Sequence, residues 1–127
     1  MMKEIIYTDA APAAIGPYSQ ATAFGNLIFT SGQIPLVPAT GEVIAGDVSV
    51  QARQALENLK AVLQQGNSSL DNVLKTTCFL ADMADFAAFN VIYTEYFGAG
   101  VPARSCVAVK TLPKNVLVEV EAIAYRV

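Results

Sequence analysis

Residues 116–127 decide the fold, and they read Val-Leu-Val-Glu-Val-Glu-Ala-Ile-Ala-Tyr-Arg-Val. Apolar residues recur at every second position, as in a β-strand whose successive side chains point to opposite faces. The segment therefore predicts a strand with one face in the core. On the other face, Glu119 and Glu121 interrupt an apolar series. Acidic side chains are rarely buried unless paired, so a solvated face is the simplest interpretation of this pair.

The preceding segment, residues 104–109, also predicts a strand and begins with Arg104. If the two strands pair, the Arg104 guanidinium and the Glu119 carboxylate could converge at a strand end. The result could be an ordinary salt bridge, which contributes little when it is exposed. It could equally be an anion clamp beside a water-binding carboxylate, because arginine holds carboxylates through two parallel hydrogen bonds. Spacing alone leaves both interpretations open.

The rest of the chain predicts two helices and further strands. Asp47 suits the N-cap of a helix over 47–65, and Gly66 suits a left-handed C-cap. Asp85 is a candidate cap for a helix over 85–97. Loop residues fill 34–46, and strands are expected over 5–7, 19–24, 27–31 and 72–80, with Gly25-Asn26 as a hairpin turn. This order predicts one α+β domain, residues 1–127, with both helices on one face of a mixed sheet.

Apolar residues recur at helical spacing along both predicted helices. On the first they form one stripe, and on the second the face is aromatic. Asn90 is out of place beside that aromatic face. A buried asparagine needs hydrogen-bond partners, so it either bonds a neighbouring loop or lines a pocket. The expected core residues are Val48, Ala52, Ala55, Leu56, Leu59, Val62 and Leu63 on the first helix and Phe86, Phe89, Tyr93 and Phe97 on the second.

Composition excludes several classes of function. With 54% hydrophobic and 15% charged residues, too little charge is available to cover a small domain, so we expect part of the surface to contact another chain. The absence of histidine removes the commonest general base and metal ligand. With a net charge of −3 and a pI near 4.7, the chain lacks the basic character of a nucleic-acid-binding protein. No apolar run approaches the ~20 residues that span a bilayer, and no cysteine pair has metal or redox spacing, so we expect a cytoplasmic protein.

At the other candidate residues the sequence gives a weaker indication of function. Cys106 shares a predicted strand face with Arg104, and a lone cysteine there is more often a small buried hydrophobe than a nucleophile. Residues 15–20 and 30–35 are loop-rich stretches in which glycine permits close backbone approach and Tyr18 offers a hydroxyl. Neither stretch is a phosphate-binding loop, which argues against nucleotide binding.

Taken together, four segments resemble the reactive intermediate deaminase (Rid, or YjgF) family: residues 13–20, 30–35, 102–107 and 118–124. Their order, their spacing and the chain length match, so the resemblance covers essentially the whole sequence. It implies a chorismate-mutase-like (ferredoxin-like) α+β fold and a homotrimer with ligand clefts between subunits. It also implies hydrolysis of 2-iminopropanoate and 2-iminobutanoate, which escape from pyridoxal-phosphate enzymes, to 2-oxo acids and ammonia.

The resemblance also implies roles for individual residues. Arg104 matches the arginine that holds the substrate carboxylate, Glu119 the carboxylate that positions water, and Cys106 a cysteine at the cleft. Positions that line the cleft are matched by Tyr18, Ser31, Gly32 and Asn90. Such a reaction requires no metal, cofactor or covalent nucleophile, because a protonated imine is already a strong electrophile. Two alternatives remain: a non-catalytic protein that binds 2-oxo acids, and an endoribonuclease or translation inhibitor, against which the acidic composition weighs.

Overall fold

The computed structural model describes residues 2–127, which form a six-stranded mixed sheet and two α-helices. The strand order across the sheet is β1-β2-β3-β6-β4-β5. All neighbouring strands are antiparallel except β4 and β5, which are parallel. The strands are β1 (Glu4–Ile6), β2 (Ala21–Phe24), β3 (Leu27–Thr30), β4 (Val73–Leu80), β5 (Ala103–Ala108) and β6 (Val118–Tyr125). The predicted hairpin at Gly25-Asn26 is confirmed, with Gly25 at a φ of 59°.

Helix α1 (Val48–Gln65) begins as predicted, because the Asp47 side chain accepts a hydrogen bond from the Val50 amide at 3.1 Å. Its predicted apolar stripe is buried throughout. The predicted left-handed cap at Gly66 is wrong: Gly66 has a φ of −87°, and Asn67 adopts the left-handed conformation at 63°. Space favours glycine at 66, since a Cβ there would lie 2.8 Å from Ile6 Cδ1 and this buried side chain would have to move.

Helix α2 (Phe86–Phe97) is the shorter of the two and packs against α1. Asp85 occupies the predicted N-cap position, but its side chain makes no capping hydrogen bond to the helix. Asp82 instead accepts from the Ala84 amide at the preceding 3₁₀ turn. No helix within residues 2–127 has both the length and the apolar character that a membrane span requires.

The main core lies between the sheet and the two helices. Alternate residues of β6 enter it, and all are buried: Val118, Val120, Ala122 and Ala124. The prediction of helices on one face of a mixed sheet is therefore confirmed.

The last two strands do not pair with each other, so the condition under which Arg104 and Glu119 could converge is not met within one chain. Strand β4 lies between β5 and β6, so Arg104 has Thr76 as its neighbour, whereas Glu119 is opposite Phe79. Thr76 is fully buried in the core, which places Arg104 on the helix side of the sheet. Glu119 alternates with buried Val118 and Val120 and therefore lies on the other, open face. A single chain thus keeps the two predicted functional side chains on opposite faces.

Candidate functional site

One pocket of about 360 Å³ surrounds Arg104, at the edge of the sheet beside α2. We call it the arginine pocket. It opens between α2 and the segment that leads into β5, so its lining combines helix residues with the start of the edge strand. The lining residues are Asn90, Tyr93, Thr94, Val101, Pro102 and Arg104.

The Arg104 guanidinium is held in place by neutral groups. Nη1 donates to Asn90 Oδ1 at 2.8 Å, and Cζ lies 4.7 Å from the ring centroid of Tyr93 and 5.5 Å from that of Phe86. The ion pairs found in residues 2–127 involve Arg53 and Arg126 instead. The half-buried Arg104 therefore has no carboxylate partner in the described chain, and it offers a fixed positive charge to an anion.

Asn90 and Cys106 complete this side of the sheet. The sequence left two roles open for Asn90, and the structure shows it lining the pocket and holding Arg104. Cys106 is partly buried against the main core. Burial raises the pKa of the Cys106 thiol, and the nearby Arg104 lowers it by less. A thiol so shifted is mostly protonated near neutral pH and is a weak nucleophile.

A second pocket, of about 230 Å³, lies on the open face around Glu119. We call it the glutamate pocket. The loop after β3 forms one of its sides, and the residues before β2 form another. Its lining residues are Ile15, Tyr18, Gly32, Ile34, Pro113 and Glu119. Two predicted cleft residues, Tyr18 and Gly32, are thus brought together with Glu119.

Gly32 lies directly against the Glu119 carboxylate. A Cβ at Gly32 would fall 1.8 Å from Glu119 Oε2, which no side chain could tolerate without moving the carboxylate. The neighbouring Gln33 forms two backbone hydrogen bonds with Val120, of 2.8 and 3.1 Å, which fix this loop to β6. Glycine at 32 therefore allows the loop to cross over Glu119.

The surroundings of Glu119 disfavour its charged form. Burial raises the pKa of the Glu119 carboxyl above its ordinary value, and the negative charge of Glu121 on the same strand face raises it further. No hydrogen bond from another residue of the described chain offsets these effects. Glu119 is consequently more basic than an ordinary glutamate, which suits a group that binds or activates water.

Ser31 has a structural role. Its Oγ donates to the Ser19 carbonyl at 2.6 Å, and its amide donates to the Gln20 carbonyl at 2.9 Å. These bonds tie the loop after β3 to the residues before β2. The Tyr18 hydroxyl accepts from the Ile15 amide at 3.2 Å, so it closes the turn that borders the glutamate pocket.

Sequence reasoning missed some residues around both pockets. Tyr93 was assigned only to the core, although it lines the arginine pocket and its hydroxyl bonds Thr76 Oγ1 at 2.7 Å. A tyrosine in an otherwise apolar stripe was the available signal, because a buried hydroxyl needs a partner. Within residues 2–127, no group of three or more His, Cys, Asp or Glu side chains is placed to hold a metal ion.

The fold and the two pockets define a small α+β protein with one pocket around an arginine that lacks an acidic partner within residues 2–127 and another around a carboxyl group of raised pKa. Residues 8–126 match the family described as Endoribonuclease L-PSP. The chain is 55% identical to a RutC family protein of Pyrococcus horikoshii, with 98% of this chain and 99% of that protein aligned. It is 52% identical to the 2-iminobutanoate/2-iminopropanoate deaminase of Escherichia coli K12, over 98% of this chain and 99% of the relative.

Solved structures agree with the sequence relatives. The crystal structure of E. coli TdcF with bound serine superimposes with a TM-score of 0.92 at 48% identity, covering 98% of this chain and 99% of that one. The chain therefore belongs to the Rid/YjgF family. The family identification and fold class made from the four sequence segments are both confirmed.

Proposed function

We propose that this protein is a hydrolytic deaminase of short 2-imino acids, which it converts into 2-oxo acids and ammonia in the cytoplasm. Its substrates are 2-iminopropanoate and 2-iminobutanoate, the reactive products of pyridoxal-phosphate enzymes. The observation that carries the proposal is Arg104: a half-buried guanidinium in a pocket, held by an amide and two aromatic rings, with no carboxylate partner in residues 2–127.

Arg104 binds the substrate carboxylate in this proposal. Arginine's planar fork fixes both the position and the orientation of a carboxylate. Two relatives support a ligand of this kind: one carries a 2-imino acid deaminase name, and another was crystallised with serine, which has an α-carboxylate. A 2-imino acid carries the same carboxylate next to its reactive carbon.

Glu119 positions the attacking water. The water oxygen adds to the carbon of the protonated C=N bond, and Glu119 accepts the proton that the water loses. The resulting tetrahedral amino alcohol then collapses, with its hydroxyl proton lost and its nitrogen protonated, to release ammonia and leave the 2-oxo acid. Holding the anion and one water in place supplies most of what this reaction needs.

We further propose that a neighbouring copy of the chain completes the site, within a homotrimer. In one chain the arginine pocket and the glutamate pocket lie on opposite faces of the sheet, so one substrate cannot contact both. The open face also exposes large apolar side chains, including Phe24 at 55% and Phe29 at 43%. Apolar surface of this kind is typical of a contact between chains.

A coupled assay tests the activity. A serine or threonine dehydratase generates the imine in place, and the release of 2-oxo acid is followed with and without this protein. We expect the wild type to accelerate release and Arg104→Ala to reduce kcat/KM at least about 100-fold, since a charged hydrogen-bonded anchor is lost. Arg53→Ala is the matched control, because Arg53 is an exposed arginine paired with Glu95. Full activity in Arg104→Ala would contradict the assignment.

Two other functions would give different results with the wild type and with Arg104→Ala. A protein that only binds 2-oxo acids would show saturable binding to Arg104 without turnover. The family description favours RNA cleavage as the other candidate, but the chain has a net charge of −3 and contains no histidine. RNA cleavage that persists in Arg104→Ala, together with no imine hydrolysis, would favour the ribonuclease.

A further inference from the structure

Tyr93 lies under the Arg104 guanidinium. Its ring centroid is 4.7 Å from Arg104 Cζ, within the range of a cation–π contact, and its side chain is almost fully buried. We propose that Tyr93 is a positioning residue: it holds the Arg104 guanidinium in place for binding the substrate carboxylate. Thr76 in turn holds Tyr93 in place. This inference rests on the proposed function, because it concerns the same arginine.

Thr76 and Tyr93 form a buried hydroxyl pair. Thr76 Oγ1 and the Tyr93 hydroxyl are 2.7 Å apart, and Thr76 is fully buried on β4. Thr76 is also the residue opposite Arg104 in the parallel β4–β5 ladder. Strand β4 thus lies beside Arg104 and, through Thr76, also holds the Tyr93 ring on which the guanidinium packs. Helix α2 and the sheet are therefore joined by a hydrogen bond next to Arg104.

Neighbouring aromatic rings restrict Tyr93 further. Phe97 packs against it with ring centroids 4.5 Å apart, and Phe89 lies 5.7 Å away on the other side along the helix. A ring held by a hydrogen bond at one end and by two rings along its sides has little freedom. It offers the guanidinium a fixed face.

A fixed face matters because arginine side chains are long and flexible. In the described chain only Nη1 of Arg104 bonds another residue, namely Asn90 Oδ1 at 2.8 Å. The remaining N–H groups are available to a ligand, and the aromatic contacts hold their plane in place. Preorganisation of this kind lowers the entropy lost when an anion binds.

Replacement of Tyr93 should therefore weaken carboxylate binding and leave the chemical step nearly intact. We expect Tyr93→Leu to raise KM for the 2-imino acid about tenfold, with kcat within about twofold, because loss of a desolvated cation–π contact is of this size. Tyr93→Phe keeps the ring but loses the hydroxyl, so its effect should be about threefold on KM.

Binding measurements separate this role from a general structural one. Calorimetry on each full-length variant compares 2-oxobutanoate with its neutral amide, 2-oxobutanamide. Tyr93→Leu and Thr76→Val should reduce the preference for the carboxylate over the amide, whereas Thr76→Ser, which keeps a hydroxyl, should restore it. Ile92→Ala is the matched control: it removes a buried side chain from the same helix, and Ile92 is not one of the rings that pack against Tyr93 or Arg104.

Each outcome decides a different point. A carboxylate preference unchanged in Tyr93→Leu, or lost equally in Ile92→Ala, would overturn the inference. If Tyr93→Leu does not fold, Thr76→Val and Tyr93→Phe decide it by the same ratio. Wild-type protein that binds 2-oxobutanoate without hydrolysing imines would overturn the proposed function alone. Wild-type protein that neither binds a 2-oxo acid nor hydrolyses imines would overturn both.

Discussion

Glu119 and Glu121 point the same way from β6 and share the open face of the sheet. Their mutual repulsion and the burial of Glu119 both favour a protonated Glu119. If Glu119 accepts a proton from water, it must be ionised in the free enzyme. The two residues together therefore link the proposed chemistry to pH.

We predict that kcat/KM for imine hydrolysis falls in acid as Glu119 becomes protonated. Because its pKa is raised, this fall occurs at a higher pH than an ordinary glutamate would give. Glu121→Gln removes the like charge and lowers the pKa of Glu119, so the acid limb should move to lower pH. Burial is the larger cause and persists in the variant, so the limb should stay above the ordinary glutamate value.

The measurement is a pH series of kcat/KM from acidic to neutral, corrected for uncatalysed hydrolysis and with the imine supply kept non-limiting. Glu42→Gln provides the control, since Glu42 is an exposed carboxylate on the loop before α1. An acid limb that stays in place in Glu121→Gln, or moves to higher pH, would show that Glu119 does not set it.

At the scale of elements, one buried side chain attaches the loop after β3 to α1. Asn58 Nδ2 donates to the carbonyls of Ile34 and Leu36 at 3.0 and 2.9 Å, and its Oδ1 accepts from Gln54 Nε2 at 2.9 Å. Ile34 also lines the glutamate pocket. Helix α1 thereby supports a pocket on the far side of the sheet.

We predict that Asn58→Leu lowers the free energy of unfolding by about 2–4 kcal/mol, because two buried carbonyls lose their donor while the side-chain volume is kept. Urea denaturation gives this value. Gln54→Leu is the control: it removes only the bond between the two side chains, and we expect a loss below about 1 kcal/mol. Equal losses in the two variants would mean that the loop carbonyls find other partners.

Local patterns predicted the elements well. The α1 stripe could be predicted because burial repeats with the helical period, and the β6 alternation because a half-buried strand has period two. The left-handed residue after α1 was misplaced by one position. Asn67 can adopt that conformation too, and glycine is favoured at 66 because a Cβ there would push against the buried side chains of Ile6 and Ile28.

The order of the strands in the sheet could not be predicted from local sequence patterns. Alternation along β5 shows that Arg104 and Cys106 share a face, but it does not tell which strand lies beside β5. Pairing depends on how α2 crosses from β4 to β5, and that crossover makes the two strands parallel neighbours. The sequence therefore identified Arg104 and Glu119 as candidates, but local pattern could not show that one chain places them on opposite faces of the sheet.

At the scale of the whole molecule, the sheet presents two different surfaces. One is covered by the helices, and the other exposes apolar side chains beside Glu119. Proteins of this size rarely expose large apolar patches unless another molecule covers them. If a second copy covers the open face, its arginine pocket can be brought to the glutamate pocket of the first.

Mixing two inactive variants tests this arrangement. Arg104→Ala keeps the glutamate pocket, Glu119→Ala keeps the arginine pocket, and we expect each alone to hydrolyse imines poorly. After joint unfolding and refolding at equal concentrations, about one quarter of the sites in a cyclic homo-oligomer should pair an intact arginine with an intact glutamate. Activity should then recover to about one quarter of the wild-type value.

Each variant refolded alone is the control for this recovery, as is a mixture of the two without unfolding. If both side chains acted within one chain, every subunit would lack one of them, and no mixture could exceed the sum of its parts. Size-exclusion chromatography with light scattering on the same samples shows which oligomer carries the recovered activity. Recovery confined to the trimer would assign the site to the contact between neighbouring subunits.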